Sequence, residues 1–279
     1  MNRWSWLCPW LAVALAAAVF VLFGFTWWSA LLAALLLVCP VLLLWGLYIT
    51  RPASDEPAVH THGMTMNWAA PFYDMYCGAV GLGQGFRDQT LQAAAIQPGE
   101  TILDVGCGTG VLTRRACDAA GPAGSAIGID PAQHMIRVAK ENAQRLGSRA
   151  EFKVAAIEQL PFENARFDVV LSSLMLHHLP PDLKRQGLRE VYRVLKPGGR
   201  FIVADFYRPA NPLWWPVAWP FLFMPTTADN LRGKLPFFFR EAGFDLVEMR
   251  GRRAGIVTFL SAIKPEERPS QVEFQQSLR

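Results

Sequence analysis

The residues best placed to do chemistry are Asp104 and the glycines after it, in the run Asp104-Val-Gly106-Cys107-Gly108-Thr109-Gly110 that ends an apolar stretch. Glycines at such a point let backbone approach a ligand closely at the start of a helix, where free N–H groups point outward. The spacing is G-x-G-x-G, and Val111 stands where the third glycine of the dinucleotide pattern G-x-G-x-x-G would fall. An acid directly before the glycines repels a pyrophosphate but suits an ammonium group. The charge therefore favours S-adenosylmethionine (SAM), with its amino-acid part, over NAD. A second acid, Asp130, lies twenty residues beyond Gly110, the offset at which a carboxylate ending the next strand can accept both hydroxyls of an adenosine ribose.

His177 and His178 offer imidazoles that titrate near neutral pH. Sequence neighbours rarely ligate one ion together, and no Cys or carboxylate stands nearby at ligand spacing, so no metal is expected. Two readings remain: a structural or cofactor-side role after the fourth strand, and a base that deprotonates substrate. Asp205, ending the fifth strand, is a further candidate for substrate contact, since ends of parallel strands face the ligand crevice. Methyl transfer from a sulfonium asks for little beyond positioning, so these residues leave open whether carbon, nitrogen or oxygen is methylated.

The elements that must position these side chains alternate. Apolar strands are predicted over 101–105, 126–129, 151–154, 167–172 and 200–206, with helices over 111–120, 131–146 and 183–195 between them. A helix near 231–242 leads into a strand over 244–249, and Gly251-Arg-Arg253 is short enough to turn a hairpin into 255–263, adding an antiparallel strand.

The segment 102–110 resembles the first motif of class I SAM-dependent methyltransferases, and Gly128-Ile-Asp130 resembles their second. Gln159-Leu-Pro-Phe162, the run from Phe167 through His177-His178-Leu179, and Leu188 through Lys196-Pro-Gly-Gly199 are similar, in order and spacing, to the subgroup holding the ubiquinone and menaquinone C-methyltransferases. The resemblance covers about residues 68–264. It implies an α/β, Rossmann-like, seven-stranded, mostly parallel sheet of order 3214576 with an antiparallel last strand. It also implies Asp104, Gly106, Gly108 and Gly110 around the methionine part, with Cys107, Thr109 and Ser173 beside them. Asp130 falls on the ribose, Pro131 and Met135 fall against adenine, and Tyr73 falls in a segment that folds over the cofactor as a lid. At Ala156 the pattern departs: relatives commonly carry Gly-Asp-Ala-Glu where this chain has Ala155-Ala156-Ile157-Glu158. The side chain that would accept from the adenine amino group is missing, at a cost of roughly 0.5–1.5 kcal/mol, while Ile157 keeps its backbone N–H. The cofactor is thus expected to be held more by its methionine and ribose ends.

Hydrophobic residues make up 52% of the 279 and charged residues 18%, and the skew is concentrated before Asp55, the first acid. The uncharged runs 4–23 and 29–49 are each long enough to cross a hydrocarbon core of about 30 Å as helix, and Gly24-Phe-Thr-Trp-Trp28 suits a turn at headgroup level. A cleaved signal peptide is the alternative, though its apolar region normally spans about 7–15 residues. Two buried soluble helices do not fit segments that are apolar all round. Arg3 and Arg51 flank the pair, which puts both termini and the catalytic domain on the cytoplasmic side of a bacterial inner membrane. The expected organisation is a transmembrane hairpin over 1–50, an exposed linker over 51–67, a helical lid segment over 68–98, a methyltransferase domain over 99–264 and a disordered tail over 265–279.

The insertion 211–225 holds three Trp, two Phe and four Pro, too short and too rich in proline for a membrane span. It reads either as core packing or as an interfacial wedge that walls a lipophilic pocket. Residues 51–279 hold 26 Lys and Arg against 23 Asp and Glu, a surplus of three, and nucleic acid is not an expected partner. Five cysteines without C-x-x-C pairing read as reduced and mostly buried. The expected function is methyl transfer from SAM to a small lipophilic acceptor, a quinol precursor or phospholipid amine, with the bilayer as partner. The rival from another class is a catalytically inactive, membrane-bound SAM-fold binding module; an NAD-dependent oxidoreductase comes third.

Overall fold

The computed structural model describes residues 59–65, 70, 72–79 and 81–266. The expected membrane hairpin, part of the expected linker and all but two residues of the expected tail lie outside them. Among the described residues no helix is long and apolar enough to cross a membrane.

Helices α1 (Tyr73–Ala79) and α2 (Gln84–Ala94) precede a seven-stranded sheet. Its strands are β1 (Thr101–Val105), β2 (Ser125–Asp130), β3 (Glu151–Val154), β4 (Phe167–Ser173), β5 (Leu195–Phe206), β6 (Leu246–Arg253) and β7 (Val257–Ile263). Their order is β3-β2-β1-β4-β5-β7-β6, parallel through β5, with β7 antiparallel to β5 and β6 antiparallel to β7. Parallel neighbours need crossover connections. These come from α3 (Val111–Ala120), α4 (Gln133–Leu146) and α5 (Pro181–Val194).

Both faces of the sheet are covered, which is why its strands are apolar throughout. Leu103, Val105, Val170, Phe201 and Val203 pack toward Leu188 and Val191 of α5 and toward Phe238 and Phe239. Their sequence neighbours Ile102, Val169, Leu171 and Ile202 pack the opposite way, toward Ala116 of α3, Ile136 of α4 and Ala94 of α2. This alternation follows from the two-residue period of a strand.

Several boundaries move for identifiable reasons. Helix α4 begins at Gln133 instead of 131, because Asp130 Oδ1 accepts from the Ala132 N–H at 2.8 Å and holds Pro131 in a turn. The helix expected over 231–242 starts only at Leu235, as α8 (Leu235–Glu241), and a separate α7 (Pro225–Leu231) precedes it, the two parted at Gly233 with φ 81°. The hairpin turn sits not at 251–253 but at Ala254-Gly255, both with positive φ, and Gly251 instead marks a register shift in β6. The insertion forms three short turns, Pro212–Trp214, α6 (Trp215–Ala218) and Trp219–Phe223, each with a proline in its first turn.

Candidate active site

All three loop glycines hold positive φ, 76° at Gly106, 53° at Gly108 and 75° at Gly110. Two also have no room for a side chain: a Cβ at Gly106 would lie 2.4 Å from Met175 Cγ, and one at Gly110 would lie 2.5 Å from the Phe152 ring. Gly110 therefore seats α3 against β3 and faces the core. Gly106 and Gly108 both line the ligand side; the Gly108 N–H donates to Asp130 Oδ2 at 3.0 Å and its α-carbon looks toward the Tyr73 ring.

Asp104 is 1% exposed. One oxygen accepts from the Thr113 hydroxyl at 2.6 Å, while Oδ1 is buried with no partner among the described residues. Burial, with the nearby Asp130 charge adding to it, pushes its carboxyl up to about 7. A buried carboxylate oxygen left over in this way calls for a cation. The same recess is lined by Cys107, Thr109, Ser173 and Arg87, and the Arg87 guanidinium pairs with Asp74 at 2.8 Å. An acid with a spare oxygen and an arginine across one recess match the ammonium and carboxylate of an amino acid, so the residues fit the methionine part of SAM. Arg87 was not singled out from sequence; it is the basic position on the amphipathic stretch before β1, and only the fold brings it to Asp104.

Beyond the glycines the cleft continues past Asp130, Pro131 and Met135 to Ala155, Ile157 and Glu158. Asp130 already accepts from two backbone N–H groups, yet burial pushes it up to about 6. Ala156 is buried and does not face the cleft, whereas its neighbours do. One wall comes from a stretch expected to be exposed linker: Thr61, Gly63, Met64 and Thr65 line the cleft. Gly63 lets this strap lie close, since a Cβ there would meet Leu179 at 2.9 Å.

A second cavity, of about 450 Å³, adjoins the first and is mostly apolar, with Tyr76, Cys77, Leu82, Phe206, Phe221 and Ile256 on its walls. Tyr73, Leu174 and His178 border both spaces. Tyr73 is held as the neutral phenol, its pKa raised by burial first and by Cys77 next. Leu174 sits at φ 53°, a left-handed conformation that a leucine rarely adopts.

His177 Nδ1 lies 2.7 Å from Asp205 Oδ1, and the His177 backbone N–H donates to Asp205 Oδ2 at 3.2 Å. Asp205 is buried, which by itself would raise its pKa. The His177 charge and hydrogen bond outweigh this and hold the carboxyl below its ordinary value. An ionised Asp205 accepts from Nδ1–H and leaves Nε2 of His177 as the ring nitrogen available to the apolar cavity. His178, pushed down to about 4 by burial and by its neighbour His177, is neutral at physiological pH. The two residues singled out separately in sequence thus form one dyad, and the second histidine packs its ring 4.0 Å from that of His177, at the border of the cofactor cleft.

A family model of the methyltransferase domain matches residues 102–199. A ubiquinone/menaquinone biosynthesis C-methyltransferase of Ectopseudomonas mendocina is 32% identical over 208 residues, covering 66% of this chain and 80% of the relative. The chain belongs to the class I SAM-dependent methyltransferases. A demethylmenaquinone methyltransferase of Oceanobacillus iheyensis is 30% identical to this methyltransferase over 241 residues, covering 78% of it and 99% of the relative. In fold it is similar to a SAM-dependent methyltransferase from Aquifex aeolicus, with TM-score 0.53 at 19% identity over 72% of this chain and 99% of that one. It is similar also to Haemonchus contortus phosphoethanolamine N-methyltransferase 2 in complex with SAM, with TM-score 0.57 at 17% identity over 72% and 58%. The cofactor is SAM, and the chain is an enzyme.

Proposed function

We propose that this methyltransferase methylates a hydroxylated, lipophilic ring compound of the quinol-precursor kind, presented from a membrane. The observation that carries the reading is His177, backed by the buried Asp205, on the wall of a mostly apolar cavity that shares Leu174 and His178 with the cofactor cleft. SAM, when bound, supplies an activated sulfonium methyl. Asp104 and Arg87 hold its amino-acid end, Asp130 its ribose, and Pro131, Met135 and Ile157 the faces of its adenine, with Tyr73 closing over the middle. Nε2 of His177 takes the proton of a ring hydroxyl, and Asp205 stabilises the imidazolium that results. Loss of that proton raises electron density on the ring oxygen and on the carbons ortho and para to it; as one of these takes the methyl, the methyl–sulfur bond would break to leave S-adenosylhomocysteine, and methylation at carbon would also release the ring hydrogen there as a proton, restoring the aromatic ring.

A phospholipid amine fits less well, because among the described residues no carboxylate lines the second cavity to meet an ammonium, whereas Tyr76, Phe206 and Phe221 suit a flat neutral ring. Two of the relatives, a ubiquinone/menaquinone biosynthesis C-methyltransferase and a demethylmenaquinone methyltransferase, support the same reading. The membrane part of the proposal rests on the two long uncharged runs of the sequence and on the insertion. Its inner residues are engaged, Trp214 over Gly255 and Phe221 at 5.7 Å from Phe206, while Leu213, Trp219 and Phe223 are exposed. Arg208, Arg232, Lys234 and Arg252 are exposed close by in sequence or contact; Arg252 donates to the Arg208 carbonyl and a Cβ at Gly233 would touch Arg208. Apolar tips beside basic side chains suit an anionic lipid surface on the cytoplasmic face. Incubation with methyl-labelled SAM and a series of prenylated phenols tests the reading: label should enter the lipid-soluble ring compound, and failure of every phenol would defeat it.

A further inference from the structure

We infer that Glu158 is the acceptor for the adenine amino group of SAM, in place of the carboxylate that the sequence lacks at Ala156; this rests on the cofactor placement proposed above. Both Glu158 carboxylate oxygens are buried and have no hydrogen-bond partner among the described residues, and Glu158 lines the cofactor cleft. A carboxylate stripped of water without a partner is costly, and the arrangement makes sense only if a ligand supplies the missing donor.

The place of Glu158 along the cleft says which donor. The amino-acid end falls at Asp104 and Arg87 and the ribose at Asp130, so the remaining purine falls in the slot that Pro131, Met135 and Ile157 line, with Glu158 at its edge. A neutral adenine offers one strong donor group there, its exocyclic amine. Two other side-chain acceptors of the cleft are already engaged, and Asp130 is also assigned to the ribose. Asp130 accepts from Gly108 and Ala132, and Thr61 Oγ1 accepts from the Gly63 N–H at 3.0 Å.

The loop that carries Glu158 is also fixed beforehand. Its backbone carbonyl accepts from Gln186 Nε2 at 3.0 Å, and the Leu160 N–H donates to Glu190 Oε2 at 2.8 Å, both on α5. Ile157 packs so closely on Gly187 that a Cβ there would lie 2.8 Å away. A side chain held on a preformed loop loses little freedom when it binds.

The test is calorimetric titration of the full chain in detergent with S-adenosylhomocysteine and with its purine-riboside counterpart, in which hydrogen replaces the 6-amino group. The wild type should prefer the adenosyl compound about tenfold, the size of one charge-assisted hydrogen bond. Glu158→Gln, which keeps an acceptor oxygen without the charge, should retain a reduced preference, and Glu158→Ala should bind the two compounds within about twofold. Equal wild-type affinities, or a preference that survives in Glu158→Ala, overturns the assignment. Asp130→Asn should weaken both compounds alike; if it changes neither, the placement of the cofactor falls and the assignment with it.

Discussion

The cofactor cleft and the acceptor cavity meet at Tyr73, Leu174 and His178, yet they are built on opposite principles. The anchoring end of the cleft is formed by backbone that the glycines bend into left-handed conformations and by the acids Asp104 and Asp130, all within one βαβ unit between Thr101 and Asp130, and more distant residues such as Thr61, Arg87 and Glu158 complete its walls. The cavity is assembled from side chains that are remote in sequence: α1, the loop after β4, the insertion and the β6–β7 turn. One region binds a fixed, charged ligand that all its relatives by cofactor share. The other is mostly apolar and takes much of its wall from loops and short turns around the ends of β5 and β7. The difference predicts that the two regions fail separately when altered.

The largest expected effect lies on the acceptor side. His177→Ala should lower kcat by about 10²–10⁴-fold while S-adenosylhomocysteine affinity, measured by calorimetry, stays within about twofold of wild type. A matching loss of cofactor affinity would erase the separation. Asp104→Asn should do the reverse, weakening cofactor binding by about 10–100-fold with kcat at saturating SAM little changed.

Next comes the pH dependence that the buried acid imposes. With its carboxyl pushed up to about 7 in the free protein, Asp104 must lose a proton to meet the ammonium. Affinity should therefore fall as pH drops below 7, by up to about tenfold per unit, with proton release visible as a buffer-dependent binding heat. The sign for stability is opposite. A carboxyl whose folded pKa lies above its unfolded value stabilises the free protein most at low pH, and the contribution is lost as pH rises through about 7. Thermal melts of the free and S-adenosylhomocysteine-bound chain should diverge over that window.

Smaller still is the cost of one methyl group at Gly110. Gly110→Ala, forced against Phe152 and Ala139 at positive φ, should destabilise the domain by about 1–3 kcal/mol, read by urea unfolding, with the acceptor preference intact. The smallest effect is expected outside both spaces. Replacing Leu213, Trp219 and Phe223 together by Ser should weaken retention on anionic vesicles without changing turnover of a detergent-dispersed acceptor; unchanged retention would count against the wedge.

The same contrast explains how much could be read from the residues alone. Strands β1 and β3 and helix α3 fall on their predicted bounds because strand alternation, a glycine loop and a 3.6-residue period are local signals. The sheet order followed from the family resemblance and not from periodicity. Asp104 was legible because its charge and its place before the glycines already say what it can bind. Arg87, the strap through Gly63 and Met64, and Leu174 were not legible, since their relevance depends on contacts that only the folded chain makes. His177 and Asp205 were each marked, but 28 residues separate them and no spacing rule says that their side chains bond. The packing of Gly110 against Phe152 is likewise not legible, because a glycine pattern does not tell close approach to a ligand from close approach to a ring.

The most direct test of the account is transfer from methyl-labelled SAM into a membrane lipid extract by the wild-type chain and by His177→Ala, with products resolved by mass. The account predicts label on a neutral, prenylated ring compound with wild type and at least about a hundredfold less with the variant. Label in the phospholipid amine fraction, or equal labelling by the two chains, would contradict it.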